Sequence, residues 1–310
     1  MARTVVAIVG ATATGKTALG EAVARAIGGE VVCADARQVF RELEIGTGRP
    51  TPSERAAQPH HLFELWSLGE RATAGAWALA AAGACETIFA RGRTPVLVGG
   101  SGLYLSALQR GLHPEPPKDA ALRVALEADC ARLGVEAMHA ELRERDASAA
   151  ERLAPRDRQR VLRALEIVTA GGRPLAWWRE QPRIAPLVAD WRVYELTCEP
   201  EVLSARIAQR TSEMWHTGLE AETAVHVRAG LEPALRRLAA IGYDEALEVL
   251  AGRMERPQAM LRMTERTRQM AKRQRTWFRH QVVSEAVRVK PGARIGQLVE
   301  DVMTGLRDLA

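Results

Sequence analysis

Asparagine does not occur anywhere in the 310 residues. That removes the NKxD motif through which an ordinary GTPase reads guanine. Aromatic residues make up only 5% of the chain, yet 47% is apolar and 26% charged, so aliphatic side chains supply a full core and a disordered chain is excluded. No apolar run reaches the roughly 18 residues of a membrane span; the longest, around Val5 to Ala11 and Ala78 to Cys85, are short or broken by glycine. Cys33, Cys85, Cys130 and Cys198 are widely spaced, with no CxxC or Cys/His cluster, so neither structural zinc nor a disulfide framework is indicated. His60 and His61 have no third ligand nearby and suit a capping or core-lining role better than a metal site. Met1-Ala2-Arg3 leads straight into β-branched residues without the features of a secretory signal, so a cytoplasmic protein with no membrane association is expected.

Positive charge is present but uneven. The net formal charge is +5, while residues 253–280 alone carry nine Lys and Arg against Glu255 and Glu265, a net of +7 that leaves −2 for the rest. Charge concentrated in this way suits a polyanionic partner, although a solvated helix face is an equal alternative from this feature taken alone.

Thr4 to Val9 is a β-branched run ending in a glycine-rich turn, followed by helical composition from Ala18 to Ile27. Short strands follow at Val31 to Cys33 and Pro95 to Val98, the latter after an alanine-rich helix from Thr73 to Ala90. Alternation of this kind implies a parallel sheet flanked by helices, with chemistry at the C-terminal ends of the strands. After the linker His113-Pro114-Glu115-Pro116-Pro117, residues Asp119 to Ala170 are helical throughout. Strand character returns at Trp191 to Thr197, and helices are expected from there to the C-terminus. The expected organisation is therefore α/β: a P-loop NTPase-like core in residues 1–112 and 190–310, with an all-helical insertion domain at 113–189.

Gly10-Ala11-Thr12-Ala13-Thr14-Gly15-Lys16-Thr17 matches GxxxxGK[ST] between a strand and a helix. Backbone amides and a helix N-terminus form an anion nest there, Lys16 adds a mobile charge, and the Thr17 hydroxyl is placed to ligate Mg²⁺. The ligand should carry a diphosphate or triphosphate. The strand Val96-Leu97-Val98 ends in Gly99-Gly100-Ser101 instead of the aspartate a P-loop NTPase usually has there, which leaves Asp35 as the acid at a nearby strand end. It could act as a general base, help to hold Mg²⁺, or cap a helix.

Several segments taken in order resemble the tRNA dimethylallyltransferases. The phosphate loop resembles GPTASGKT, Asp35 to Phe40 resembles DSxQxY, Ile45 to Pro50 resembles IGTAKP, and Pro59 to Leu62 resembles PHHL. Val98 to Tyr104 resembles VGGTGLY, Arg160 with Arg163 to Glu166 resembles RxxRALE, Ile241 to Glu245 resembles IGYKE, and Thr267 to Trp277 resembles TRxxAKRQxTW. Departures from the pattern are Ala11, Ala36, Arg49 and Ser101, and no zinc finger of the eukaryotic kind follows. The resemblance implies a bacterial-type enzyme that moves a dimethylallyl group from dimethylallyl diphosphate to the N6 amine of the adenine 3′ of a tRNA anticodon; apart from the resemblance, a monomer is expected. By the same resemblance Gly10 to Thr17 bind the diphosphate, with Mg²⁺ on Thr17. Arg210, four residues beyond Arg206 on one helix face, stabilises the leaving group, and Asp35 is the base. Asp35, Ala36, Arg37, Gln38, Ser101, Gly242 and Tyr243 fall on the tRNA side, as do Arg123 with Gln159, Arg160, Val161, Leu162 and Arg163 in the insertion, and Lys272 and Arg273 in the basic helix. Met260, Met263, Met270 and Trp277 have helical spacing and are expected to form that helix's core face.

An adenylate isopentenyltransferase would use the same donor on free nucleotides, but it needs neither the insertion nor the basic segment. A small-molecule P-loop kinase would consume ATP without RNA, and a non-catalytic RNA-binding module would not need Lys16, Thr17 and Asp35.

Overall fold

The structure, a computed structural model, describes residues 3–290 and 293–307. Strand β1 (Thr4–Gly10) is almost wholly buried because both of its faces are covered, which is why it reads as an unbroken Val/Ile run. Among the described residues six parallel strands form one sheet in the order β3-β2-β4-β1-β5-β6, comprising β2 (Glu30–Cys33), β3 (His60–His61), β4 (Pro95–Gly99), β5 (Asp190–Thr197) and β6 (Glu285–Arg288). In β1, Val6 pairs with Val96 and Ile8 with Val98 on one side, and Val5 pairs with Trp191 on the other.

Alternate residues of β1 feed two cores. Val6 and Ile8 face helix α1 (Lys16–Ala26) and the C-terminal helix, while Val5, Ala7 and Val9 belong to a larger core containing Trp77 and Leu105. That second core gathers residues of α3 (Ala74–Ala90), capped by the Thr73 hydroxyl, and α4 (Gly102–Gln109), after a short α2 (Pro52–Ala57). After β5 come α10 (Pro200–Thr217), α11 (Leu219–Arg228), α12 (Glu232–Leu238), α13 (Tyr243–Leu250) and α14 (Arg256–Gln281), with α15 (Ile295–Arg307) following β6.

Strand β6 corrects the expectation of unbroken helix after residue 197. It has four residues, of which only Val287 is buried, and it lies at the sheet edge beside β5. So short an edge strand carries too few alternations to show in the sequence.

Residues 110–185 form a separate compact unit, and residues 186–189, assigned to the insertion by sequence, fall in the α/β unit, where Leu187 is core. The helical unit contains α5 (Ala120–Leu133), α6 (Val135–Arg145), α7 (Ala147–Glu151), α8 (Arg158–Gly171) and α9 (Leu175–Glu180), and a bridge between Leu112 and Ile184 joins its two ends. Asp119, Asp146 and Asp157 each accept a backbone N–H three residues on, which starts α5, α7 and α8.

Candidate active site

Three loops leave the C-terminal edge of the sheet beside one another. After β1, Gly10 to Gly15 turn through a left-handed Ala13 (φ 63°), and Gly15 (φ 97°) caps α1. The Thr14 hydroxyl and the Lys16 ammonium both donate to the Ala11 carbonyl, at 2.8 and 2.6 Å. Gln274 of α14 fastens this loop to the end of β4: its amide oxygen accepts the Thr12 N–H at 2.9 Å and its nitrogen donates to Gly100 at 3.0 Å. One amide of the expected anion nest is therefore already used inside the protein. Arg206 donates to the Thr14 carbonyl at 3.2 Å and so braces the loop.

After β2, one carboxylate oxygen of Asp35 accepts the N–H of Arg37 at 2.8 Å and of Gln38 at 3.4 Å. Among the described residues its other oxygen accepts no hydrogen bond. The Ser101 hydroxyl accepts the Ala36 N–H at 2.8 Å and so joins the ends of β2 and β4. These ends approach closely because residue 99 is glycine: a Cβ there would run into the Ala34 carbonyl.

Arg210 of α10 enters from the other side and donates to the Thr47 carbonyl at 2.9 Å. The Gln38 side-chain nitrogen donates to the carbonyls of Thr47 and Gly48, each at 3.1 Å, so it is engaged with the loop. Gly48 has a left-handed φ of 58°, and a Cβ on it would meet the Arg210 guanidinium.

These groups surround a cavity of about 410 Å³ whose lining includes Lys16, Thr17, Asp35, Arg210 and Arg273. Val98, Ile207, Met214, Met263 and Met270 add apolar wall. Removal from water lowers Lys16 to about 8, against the pull of Asp35, with Arg210 lowering it further. Desolvation likewise lowers Arg210, again opposed by Asp35, and burial with help from Asp35 pushes Tyr104 up to about 12. Among the described residues Asp35 is thus the one carboxylate that acts electrostatically on both Lys16 and Arg210 from within the cavity.

Among the described residues no group of three His, Cys, Asp or Glu is arranged to hold a metal ion. The Thr17 hydroxyl, which lines the cavity without a hydrogen bond among the described residues, and the second Asp35 oxygen fit the sparse protein ligation typical of Mg²⁺, which takes most of its ligands from phosphates and water. His60 and His61 pair with carboxylates instead, at 3.3 Å to Glu21 and 2.6 Å to Glu30.

The candidate RNA-facing residues divide by environment. Gln159 and Arg160 are exposed on α8, whereas Val161 and Leu162 have no exposed surface and form part of the helical unit's core. This corrects their assignment to RNA: a continuous stretch of helix turns two of its residues inward. Several arginines of the helical unit already have carboxylate partners: Arg123 and Arg163 both bind Glu166, Arg163 also binds Glu115, Arg156 binds Glu136 and Arg160 binds Asp157. Gly242 starts α13 (φ 95°) and donates to Glu245 at 2.7 Å; Tyr243 is buried, its ring lining the cavity and its hydroxyl bonded within the protein. Lys272 and Arg273 point to opposite sides of α14, Arg273 to the cavity and Lys272 to a groove of about 370 Å³ against α10 that Arg268, Arg275 and Arg279 also line. Met263 is core as expected, while Met260, Met270 and Trp277 are partly buried. Gln274 and Arg206 were not assigned a role from sequence, although Gln274 stands inside the TRxxAKRQxTW-like segment.

The profile of the IPP transferase family matches residues 38–281, and that of the isopentenyl transferases matches residues 3–60. A tRNA dimethylallyltransferase of Rhodopseudomonas palustris is 44% identical over 279 residues, 89% of this chain and 87% of that one. Among solved structures, the full-length tRNA isopentenylpyrophosphate transferase of Bacillus halodurans superposes with a TM-score of 0.70 at 31% identity, covering 99% of this chain and 97% of that one. A eukaryotic dimethylallyltransferase, described as acting on tRNA, gives 0.74 at 28% identity over 89% of this chain and 69% of that one. The match runs through the phosphate loop, the Asp35 turn, the helical unit and α14 alike, and the chain therefore belongs to the IPP transferase family.

Proposed function

We propose that this protein transfers a dimethylallyl group from dimethylallyl diphosphate to the exocyclic N6 amine of the adenine 3′ of the tRNA anticodon, acting as a cytoplasmic monomer. The observation that carries this reading is the position of Asp35, with one carboxylate oxygen that accepts no hydrogen bond among the described residues, in a cavity whose other charged lining groups are all cations, the phosphate-loop Lys16 and Arg210 among them. A base thus faces the groups suited to a diphosphate, with apolar wall between α10 and α14 for a five-carbon tail.

In the reaction the adenine N6 forms a bond to the allylic carbon as the bond from that carbon to the diphosphate oxygen breaks. Asp35 takes the amine proton, and Lys16 and Arg210 meet the charge that grows on the departing diphosphate. Lys16 would exchange its bond to the Ala11 carbonyl for a phosphate oxygen. Mg²⁺, held by Thr17 and phosphate oxygens, would add further charge stabilisation when bound. Met214, Met263 and Ile207 keep water from the allylic carbon. The adenine must leave its stack to arrive, and the exposed Gln159 and Arg160, with Arg273 at the cavity, are suited to holding the RNA that supplies it.

The test is incubation with Mg²⁺, labelled dimethylallyl diphosphate and unmodified tRNA, beside parallel reactions with AMP and with ATP and small acceptors. Label in tRNA alone is expected. Label in AMP, or ATP consumed without prenyl transfer, would replace this function with a free-nucleotide prenyltransferase or a kinase.

A further inference from the structure

Glu222 on α11 lies outside the cavity, yet it holds the loop on which two cavity side chains depend. Its carboxylate accepts the Glu44 N–H at 2.7 Å, the Ile45 N–H at 3.1 Å and the Tyr243 hydroxyl at 3.0 Å. The Tyr243 oxygen in turn accepts the Gly46 N–H at 3.2 Å. Three consecutive amides at the start of the short 3-10 turn Ile45–Thr47 are thereby fixed, two directly and one through the phenol. Burial, with Glu222 beside it, raises the Tyr243 hydroxyl well above its ordinary range, so it remains a donor. A Cβ on Gly46 would run into the Tyr243 ring, so the turn lies directly on that side chain.

The far end of the same turn faces the cavity. Its Thr47 carbonyl receives Arg210 and Gln38, and the Gly48 carbonyl receives Gln38 again. The Thr47 hydroxyl bonds only carbonyls of its own loop, Leu43 and Glu44, so it does not fix the turn against the helices. Glu222 and Tyr243 supply that anchor from α11 and α13.

We propose that Glu222 is a positioning residue for the transfer reaction: by capping the amides of residues 44–46 it sets where the Thr47 and Gly48 carbonyls stand, and these aim Arg210 and Gln38 at the substrates. This rests on the function proposed above. A displacement of about 1 Å in an aligned group can cost on the order of 100-fold in rate, so a residue that touches no substrate can still govern turnover.

The experiment compares Glu222→Ala and Glu222→Gln, each in the wild-type and in the Arg210→Ala/Gln38→Ala background. Three quantities are read: the single-turnover rate from dimethylallyl diphosphate to tRNA, the affinity for inorganic diphosphate by calorimetry, and the melting temperature. Glu222→Ala should lower the single-turnover rate by about 10- to 100-fold and weaken diphosphate several-fold. Glu222→Gln, which keeps one acceptor oxygen but turns an NH₂ toward the amides, should fall between. In the doubly substituted background most of the penalty should vanish, because the groups being aimed are gone. A merely structural role would lower the melting temperature and leave the rate of the folded protein unchanged. That result, or losses that simply multiply across the two backgrounds, would overturn the proposal. If Glu222→Ala does not fold, Glu222→Gln supplies the same cycle. Wild-type protein that binds diphosphate but prenylates no tRNA would overturn the function and leave the diphosphate cycle to decide on Glu222; absence of diphosphate binding would overturn both.

Discussion

In the first half of α14, Arg266 reaches Glu245 at 2.5 Å and Asp244 at 2.8 Å, Arg262 stands 3.6 Å from Glu245, and Arg256 donates to the Trp215 carbonyl at 2.6 Å. From residue 268 on, Arg268, Lys272, Arg273, Arg275 and Arg279 have no ion pair or hydrogen bond among the described residues, although Arg275 and Arg279 act electrostatically on Glu195. The sequence shows one basic segment; the structure divides it. Acidic residues at the start of α13 lie along the first half, while the second half faces α10 across Pro200, Leu203 and Ser204, which bring no acid. Along α14, cations met by carboxylates build the fold, and those left without them are available to a ligand. Asp35 is the exception, a carboxylate set among cavity cations with one oxygen free.

The largest expected effect comes from removing that exception. Asp35→Asn should lower single-turnover transfer by about 10²- to 10⁴-fold with little change in melting temperature, since a positioned base is worth about that much and the amide oxygen can still accept the Arg37 N–H. Unaltered transfer would remove Asp35 as the base. The next effect lies on the paired side. Glu245 has no exposed surface, so Arg266→Ala leaves a buried carboxylate short of its closest partner and should cost about 3 kcal/mol in urea unfolding. A cost near zero would mean that Arg262 and the Gly242 amide suffice. Third is Lys16, a cavity cation without a carboxylate bound to it. Its free-enzyme pKa of about 8 predicts that kcat/KM for the donor falls as pH rises through 8, because the neutral amine no longer attracts diphosphate. The effect on stability has the opposite sign. Between about 8 and the ordinary value of 10.5 the unfolded chain holds the proton that the folded chain has released, so this residue's share of stability rises with pH. A donor profile flat to pH 10 would place the ammonium in a more polar setting than the cavity provides.

How much of this could be read in the sequence depends on the distance over which each feature is determined. The phosphate loop is local: strand, glycine spacing, Lys16 and helix start lie within one short stretch, and the sheet's middle strands announce themselves as unbroken Val/Ile runs. The Asp35 turn is equally local, its carboxylate bonding amides two and three residues on. Gln274 meets Thr12 across 262 residues, and Glu222 meets Ile45 across 177, so no periodicity or spacing near either residue could reveal the partner. Val161 and Leu162 failed for another reason. Resemblance carries a continuous stretch onto α8, but a helix that packs against a core buries part of every such stretch. The pairing of Arg163 with Glu115 and Glu166 was hidden in the same way, since its partners come from the linker and from the next turn of the helix.

The smallest effect separates cations of α14 that have no carboxylate bound from Arg253, just ahead of that helix, which has one. Lys272→Ala and Arg275→Ala should each change stability by less than about 0.5 kcal/mol, because among the described residues neither side chain has an ion pair or hydrogen bond to lose. Each should also reduce the slope of log affinity for tRNA against log salt by about 0.7 to 0.9, the share of one neutralised phosphate. Arg253→Ala supplies the contrast: its guanidinium lies 2.7 Å from Glu248 and its charge is already met, so the salt slope should not move. Equal slope changes at Arg253 and Arg275 would mean that pairing within the protein does not decide which cations reach RNA. A change at Arg275 alone would assign the groove between α10 and α14 to the RNA backbone, and the size of the change at Lys272 would then tell how far along the helix that backbone runs.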